Sequence, residues 1–247
     1  RLCRDWSSDV CSSDLRILFL DIETVSMVPD FNQLPEAYKP LWEKKAKTLK
    51  NELNQSPEEI FDRAGIYAEF GKIICVSLGF FYKNDSSLLF RVRSFYGHDE
   101  KKILEDFSQL LNDHFNSAQH YLCAHNGKEF DFPYLSRRMV IHHLDLPYLL
   151  DNFGKKPWET NLLDTMELWK FGDYKNYTSL ELLSCIFGFP SPKDDISGQD
   201  VSRVYWQEND LERIARYCAK DVVTIARLYL RYRMAGDLHD DQIIYLP

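Results

Sequence analysis

Arg16-Ile17-Leu18-Phe19-Leu20-Asp21-Ile22-Glu23-Thr24 is the stretch from which the fold can be read. The unbroken apolar run from Ile17 to Leu20 predicts a strand covered on both faces. Two carboxylates follow at its C-terminal end, at i and i+2. In extended backbone that spacing puts Asp21 and Glu23 on one face and turns Ile22 to the other. Like charges side by side at a buried rim repel one another and lose hydration. A divalent cation held between them removes both penalties. Taken alone, the stretch fits a strand running out into an acidic turn better, because D-x-E recurs by chance. The rest of the chain reverses that balance.

With 247 residues and 45% hydrophobic content, the chain suits one large domain, or a domain with an insertion. No apolar run approaches the roughly 18 residues needed to cross a bilayer, so no membrane role is expected. A net charge of −8 argues against a nucleic-acid partner only weakly. An acidic cluster that holds cations inverts its own local field. Residues 1–15, including Asp5-Trp6-Ser7-Ser8-Asp9-Val10-Cys11-Ser12-Ser13-Asp14-Leu15, look like the in-frame translation of a sequencing-library adapter. They are set aside as non-native, and the domain is taken as 16–247. Cys75, Cys123, Cys185 and Cys218 form no C-x-x-C pair and read as free, mostly core thiols in a reducing cytoplasm. A zinc site is not expected.

Beyond Thr24, two inserted helices are predicted before the second strand. The first runs from about Pro40 to Leu53; the second opens at Ser56-Pro57, with Ile60, Phe61, Ala64 and Tyr67 at helical spacing. Lys44, Lys45, Lys47 and Lys50 form a basic run that reads as a solvated face or as a phosphate contact. Lys72–Phe81 and Ser87–Phe95 read as two strands joined by Lys83-Asn84-Asp85, the first central and the second an edge with Arg91 and Arg93 on one face. Asp99 caps a helix to about Phe115, and Tyr121–Ala124 is another strand. After the Asn126-Gly127 turn, Asp131 begins a helix through His143, where an aspartate reads equally well as a cap. Asp164 lies in a semi-apolar segment, Thr178–Phe187 is a helix ending at Gly188, and Ser191–Gln199 is a polar loop.

A last long helix spans about Asp210–Met234. Leu211, Ile214, Ala215, Cys218, Val222, Ile225 and Tyr229 make its apolar stripe, with Arg213, Arg216, Lys220 and Arg227 opposite. Asp221 falls on the shoulder of the stripe, with Tyr217 one turn above it. A carboxylate there costs several kcal/mol unless it is paired or bound to metal.

Four carboxylates and a tyrosine, each at the end of a regular element, resemble the DEDD exonuclease superfamily in its tyrosine-bearing DEDDy subgroup. Asp21-Ile22-Glu23 looks like the first motif, Asn126 through Phe130-Asp131 the second, and Tyr217-Cys218-Ala219-Lys220-Asp221 the third. The likeness covers residues 16 to about 233 and is nearest to stand-alone bacterial proteins similar to the exonuclease domain of family-B DNA polymerases. It implies an α/β, RNase H-like mixed sheet with flanking helices and a helical insertion between the first two strands. It also implies two Mg²⁺ or Mn²⁺ ions on Asp21, Glu23, Asp131 and Asp221, and removal of nucleotides from the 3' end of nucleic acid. Single-stranded DNA is favoured as substrate. The alternatives are an exoribonuclease acting on short RNA and a non-catalytic binding module of the same fold. A polymerase or repair partner is left open.

The chemistry points the same way. Phosphodiester hydrolysis at neutral pH needs an activated water and neutralised phosphorus and leaving oxygens, which two cations supply. With a pKa of about 10, Tyr217 is a poor base at neutral pH and a better orienter of the attacking water. By analogy Thr24, Asn126 and Phe130 position the terminal nucleotide, although each also has an ordinary role as strand cap, turn or core residue.

Overall fold

The structure, a computed structural model, describes residues 14–49, 54–84, 87–173, 177–191 and 195–247. The N-terminal residues 1–13, Lys50, Leu53 and Asp85 therefore lie outside the described residues, and with them most of the adapter-like stretch and part of the first inserted helix and the hairpin turn.

Strand β1 (Ile17–Ser26) runs on through both carboxylates, and α1 (Lys39–Ala46) follows in the insertion. Next come the hairpin strands β2 (Gly71–Asn84) and β3 (Ser87–Tyr96), then α2 (Glu100–His114) and β4 (Tyr121–Ala124). The second half holds α3 (Asp131–Ile141), β5 (Leu162–Asp164), α4 (Thr165–Lys170), α5 (Leu180–Phe187), α6 (Val201–Arg203), α7 (Leu211–Arg233) and β6 (Ile243–Tyr245). The six strands form one sheet in the order β5-β4-β1-β2-β3-β6. The pairs β1–β4, β4–β5 and β3–β6 are parallel, while β1–β2 and β2–β3 are antiparallel.

Both faces of β1 are covered, as its apolar run requires. Leu18, Leu20 and Ile22 pack with Ile103, Leu104 and Phe107 of α2 and with Phe132, Leu135 and Met139 of α3. Ile17 and Phe19 pack on the opposite face with Val222, Val223, Ile225, Ala226 and Tyr229 of α7. Alternation along the strand therefore sends Asp21 and Glu23 toward α7 and Ile22 toward α3.

Three expectations change, and one reading left open is decided. The second inserted helix is not α-helical: after a turn, residues Phe61–Ile66 form a 3₁₀ segment. Ser56 does cap, accepting from the Glu59 N–H at 3.3 Å. The Pro57 carbonyl, which an α-helix would give to Phe61, instead accepts from the Trp42 indole N–H at 2.8 Å, and Phe61 N–H bonds back to Glu58 O at 3.2 Å. Strand β3 is not the edge, because β6 pairs with it from Phe90 to Val92. Arg227 does not face solvent opposite the apolar stripe; it is buried and bonds the Leu238 carbonyl and Asp240. Asp131 is the first helical residue, not a cap, and its Oδ1 accepts from the Ile22 N–H of β1 at 3.2 Å.

The helix that carries Asp131 is fixed by a buried ion pair. Glu100, at the start of α2, accepts from Arg138 Nε at 2.8 Å, from Ile73 N–H at 2.7 Å and from Arg138 NH2, while Arg138 NH1 donates to Ala68 O at 2.8 Å. Removing one partner from such a pair strands the other charge in the core. Arg138→Met is expected to lower unfolding stability by about 3–5 kcal/mol in a denaturant titration; a loss within error would show that Glu100 is already solvated.

Candidate active site

Strand β1 carries the first part of the site. Asp21 and Glu23 lie opposite Ser77 and Cys75 of β2, and the ladder shifts register between Glu23 and Thr24. That shift ends the regular pairing immediately after the second carboxylate. Asp21 is half-buried and Glu23 buried. The Thr24 side chain bonds the Tyr134 hydroxyl, which also donates to Gly65 O at 2.8 Å, so the insertion is tied to α3 beside the site.

The second part comes from the loop after β4. Asn126 takes a left-handed conformation, φ 62°, which asparagine tolerates better than most residues. Gly127 is needed at the next position, since a Cβ there would sit 2.3 Å from the Ala124 Cβ. The loop closes through Phe130 N–H on Asn126 O at 3.1 Å and then enters α3 at Asp131. The Phe130 ring packs 5.4 Å from that of Tyr134. Asn126 Oδ1 is buried and has no hydrogen-bond partner among the described residues.

Helix α7 supplies the third part. Tyr217 and Asp221, one turn apart, are both buried and hydrogen-bonded to each other. Between them Cys218 places its Sγ 3.3 Å from the Asp21 main-chain oxygen and 3.3 Å from Asp21 Oδ2. One donor atom from each of Asp21, Glu23 and Cys218 falls within 4.8 Å of the others. Asp131 and Asp221 stand outside that tight group but act on it electrostatically.

The electrostatics follow from putting like charges in a dry place. Burial raises the Asp21 carboxyl most, and the charges of Asp221, Asp131 and Glu23 raise it further. Glu23 is raised by burial, then by Asp221, Cys75 and Asp131. Burial lifts Asp131 to about 7 against the lowering effect of its own and the Ile22 backbone N–H, with Asp164 and Asp221 adding to the rise. Tyr217 is driven far above its ordinary value by burial and then by Asp221, Glu23 and Asp21, so its phenol keeps its proton. The donor set, rich in carboxylate oxygen and short of positive charge, fits a hard divalent cation. A separate cavity of about 540 Å³ between β3, α7 and the C-terminal residues is lined by Ser94, Tyr96, Ala215 and Ala219 and by none of these carboxylates.

Three residues that hold the site did not stand out in the sequence. Asp164 is buried, and its Oδ1 caps α4 at Met166 N–H (2.9 Å) while accepting from Asn126 N–H at 2.9 Å; Oδ2 accepts from Lys128 N–H at 3.1 Å. An aspartate three residues before Glu167 is the sequence pattern of a helix start and was the available signal. His125 joins Thr165 Oγ1 and the Thr178 carbonyl, both at 2.9 Å, and burial lowers its pKa. Cys218 carried no signal beyond its place between Tyr217 and Asp221.

No curated protein matches the chain in sequence. Among solved structures, the family B DNA polymerase from the hyperthermophilic archaeon Pyrobaculum calidifontis is similar in fold, with a TM-score of 0.53 at 15% identity. The alignment covers 89% of this chain and 24% of the polymerase, so the chain spans about a quarter of that protein. This likeness agrees with the RNase H-like mixed sheet and flanking helices expected from the motifs. Residues 66–244 match a family model, and the chain belongs to that family: predicted 3'-5' exonucleases related to the exonuclease domain of PolB.

Proposed function

We propose that residues 16–247 form a divalent-cation-dependent exonuclease that removes nucleotides from the 3' end of nucleic acid, with single-stranded DNA as the preferred substrate. The observation that carries this reading is the meeting of Asp21, Glu23, Asp131, Tyr217 and Asp221, from three distant segments, at the register shift of β1. In this reading Asp21, Glu23, Asp131 and Asp221 hold the cations. Two Mg²⁺ or Mn²⁺ ions held there would supply an activated water and neutralise charge on the phosphorus and leaving oxygens. Tyr217 stays protonated and orients the nucleophile through its O–H. The Asn126 Oδ1, buried and unbonded, offers an acceptor to the terminal nucleotide, while Thr24 and Phe130 shape the wall beside it.

An end-labelled single-strand assay tests the reading, with matched DNA and RNA oligonucleotides run side by side. Asp21→Ala and Asp221→Ala are expected to fold and to lose more than the roughly 100-fold that an outer-shell partner costs. Near-normal turnover by folded Asp21→Ala would end the proposal. Tyr217→Phe removes one hydrogen bond and is expected to cost about 10–100-fold; a loss equal to that of the carboxylate variants would contradict its assignment as orienter. Faster cleavage of the RNA would transfer the activity to RNA.

Stability should follow pH with a defined sign. Asp131, whose ordinary pKa of 3.8 is raised to about 7 in the fold, contributes stability that is fully present below the unfolded value and lost as pH rises through about 7. In chelator, the wild type is therefore expected to lose thermal midpoint between pH 4 and 8 relative to Asp131→Asn, and Mn²⁺ should close the gap. Parallel curves for the two proteins would show that Asp131 feels no such repulsion.

A further inference from the structure

Cys218 is fully buried on the apolar stripe of α7, where core packing would account for it. Its contacts go further. The Sγ lies 3.3 Å from Oδ2 of Asp21 and 3.3 Å from the carbonyl oxygen of the same residue. A thiol has one proton to donate; Asp21 offers it two oxygens at 3.3 Å, and the Cys75 thiol is its other hydrogen-bonding neighbour. Asp21 is the one member of the acidic group that is half-buried rather than buried. Left to the repulsion of Glu23, Asp131 and Asp221, its carboxylate would swing toward water.

On its other side Cys218 meets a neutral polar row. Cys75 Sγ is 3.6 Å from Ser77 Oγ, and Ser77 Oγ is 2.7 Å from Ser94 Oγ, across β2 and β3. Cys75 lies opposite Glu23 and Ser77 opposite Asp21 in the β1–β2 ladder. The side chains next to the two carboxylates across the ladder are thus a hydroxyl and a thiol, which add no charge. Among the described residues no lysine or arginine acts on the Asp21 carboxyl. A cation there would neutralise the carboxylate and compete with the metal; a neutral, weak donor orients it and leaves its charge intact.

We infer that Cys218 is a positioning residue for Asp21, whose thiol fixes the carboxylate in the orientation a divalent cation requires. The inference rests on the exonuclease reading given above and assigns the thiol of the third motif a part in that site. Because Cys218 acts through Asp21, its loss should weaken cation affinity and leave turnover at saturating cation largely intact.

The test is calorimetric titration of the full chain with Mn²⁺, alongside thermal midpoints and the Mn²⁺ dependence of cleavage. Cys218→Ala is expected to raise the Mn²⁺ dissociation constant about 10-fold, the lower end of the range for loss of an outer-shell partner. Cys218→Ser, which keeps a donor, should return to within about twofold of wild type, at a lower midpoint than wild type if the hydroxyl fits the core less well. In the cleavage assay the alanine variant should need more Mn²⁺ for half-saturation and reach a similar maximum rate. If Cys218→Ala fails to fold, Cys218→Val fills the space without donating and should show the same weakened affinity. Wild-type Mn²⁺ binding that is lost in Asp21→Asn but untouched by Cys218→Ala would overturn this inference and spare the exonuclease reading. A serine variant as weak as alanine would overturn it as well. No Mn²⁺ binding by the wild type would remove both.

Discussion

Asp21 and Glu23 project from one face of a strand buried on both sides, and α7 lays Tyr217 and Asp221 against that face. Asp131 arrives from behind, its Oδ1 held by the Ile22 N–H between the two strand carboxylates. Each of these groups loses water on burial and meets its neighbours' negative charge, and the Asp21, Glu23 and Asp131 carboxyls are raised above the ordinary carboxylate range. A fold does not gather four such groups for its own stability. In the proposed reading the arrangement is a socket for positive charge, and a bound cation would relieve the mutual repulsion of the carboxylates.

The surrounding structure is arranged to keep that socket from relaxing. The Glu100–Arg138 pair locks α3 to α2 and to the β2 backbone, so Asp131 cannot retreat by moving its helix. Asp164 ties the Asn126–Lys128 loop to the start of α4, and His125 ties the same loop to Thr165 and Thr178. These are charge-assisted or doubly bonded contacts in the interior, where each lost partner is costly. The insertion closes the far side through Gly65 and Tyr134. Rigidity here serves to hold repelling charges at fixed separation.

What the sequence made legible follows from periodicity and side-chain chemistry. β1 is legible as an unbroken apolar run, α2 and α7 carry strong period-3.6 signals, and the placement of Asp221 and Tyr217 on the shoulder of α7 came from counting turns. The second inserted helix was misread because its hydrogen bonding is decided by a tertiary contact, the Trp42 indole on Pro57 O, that no local pattern encodes. The edge position of β3 was misread because a three-residue strand some 150 residues later covers it. Asp164 escaped notice because helix-start aspartates are common and only burial tells this one apart. Asp131 shows the reverse: the local pattern left a cap and a site residue equally open, and the long-range bond to β1 rules out the cap.

The neutral row of Cys218, Cys75, Ser77 and Ser94 bears on how such a site stays selective for cations. Had the space beneath Asp21 and Glu23 been filled with a basic side chain, the apo fold would be more stable, since the repulsion would be cancelled internally. It would also bind metal less well, because the same charge would have to be displaced or outcompeted. Had the space been purely aliphatic, the carboxylates would be free to turn away and the burial penalty would be larger. Weak neutral groups sit between these extremes: Cys218 can orient the Asp21 oxygens, and none of the row brings a compensating positive charge. On this reasoning the instability of the carboxylate cluster and the divalent-ion affinity proposed for it have a single cause, and the neutral residues beside β1 set the balance between them.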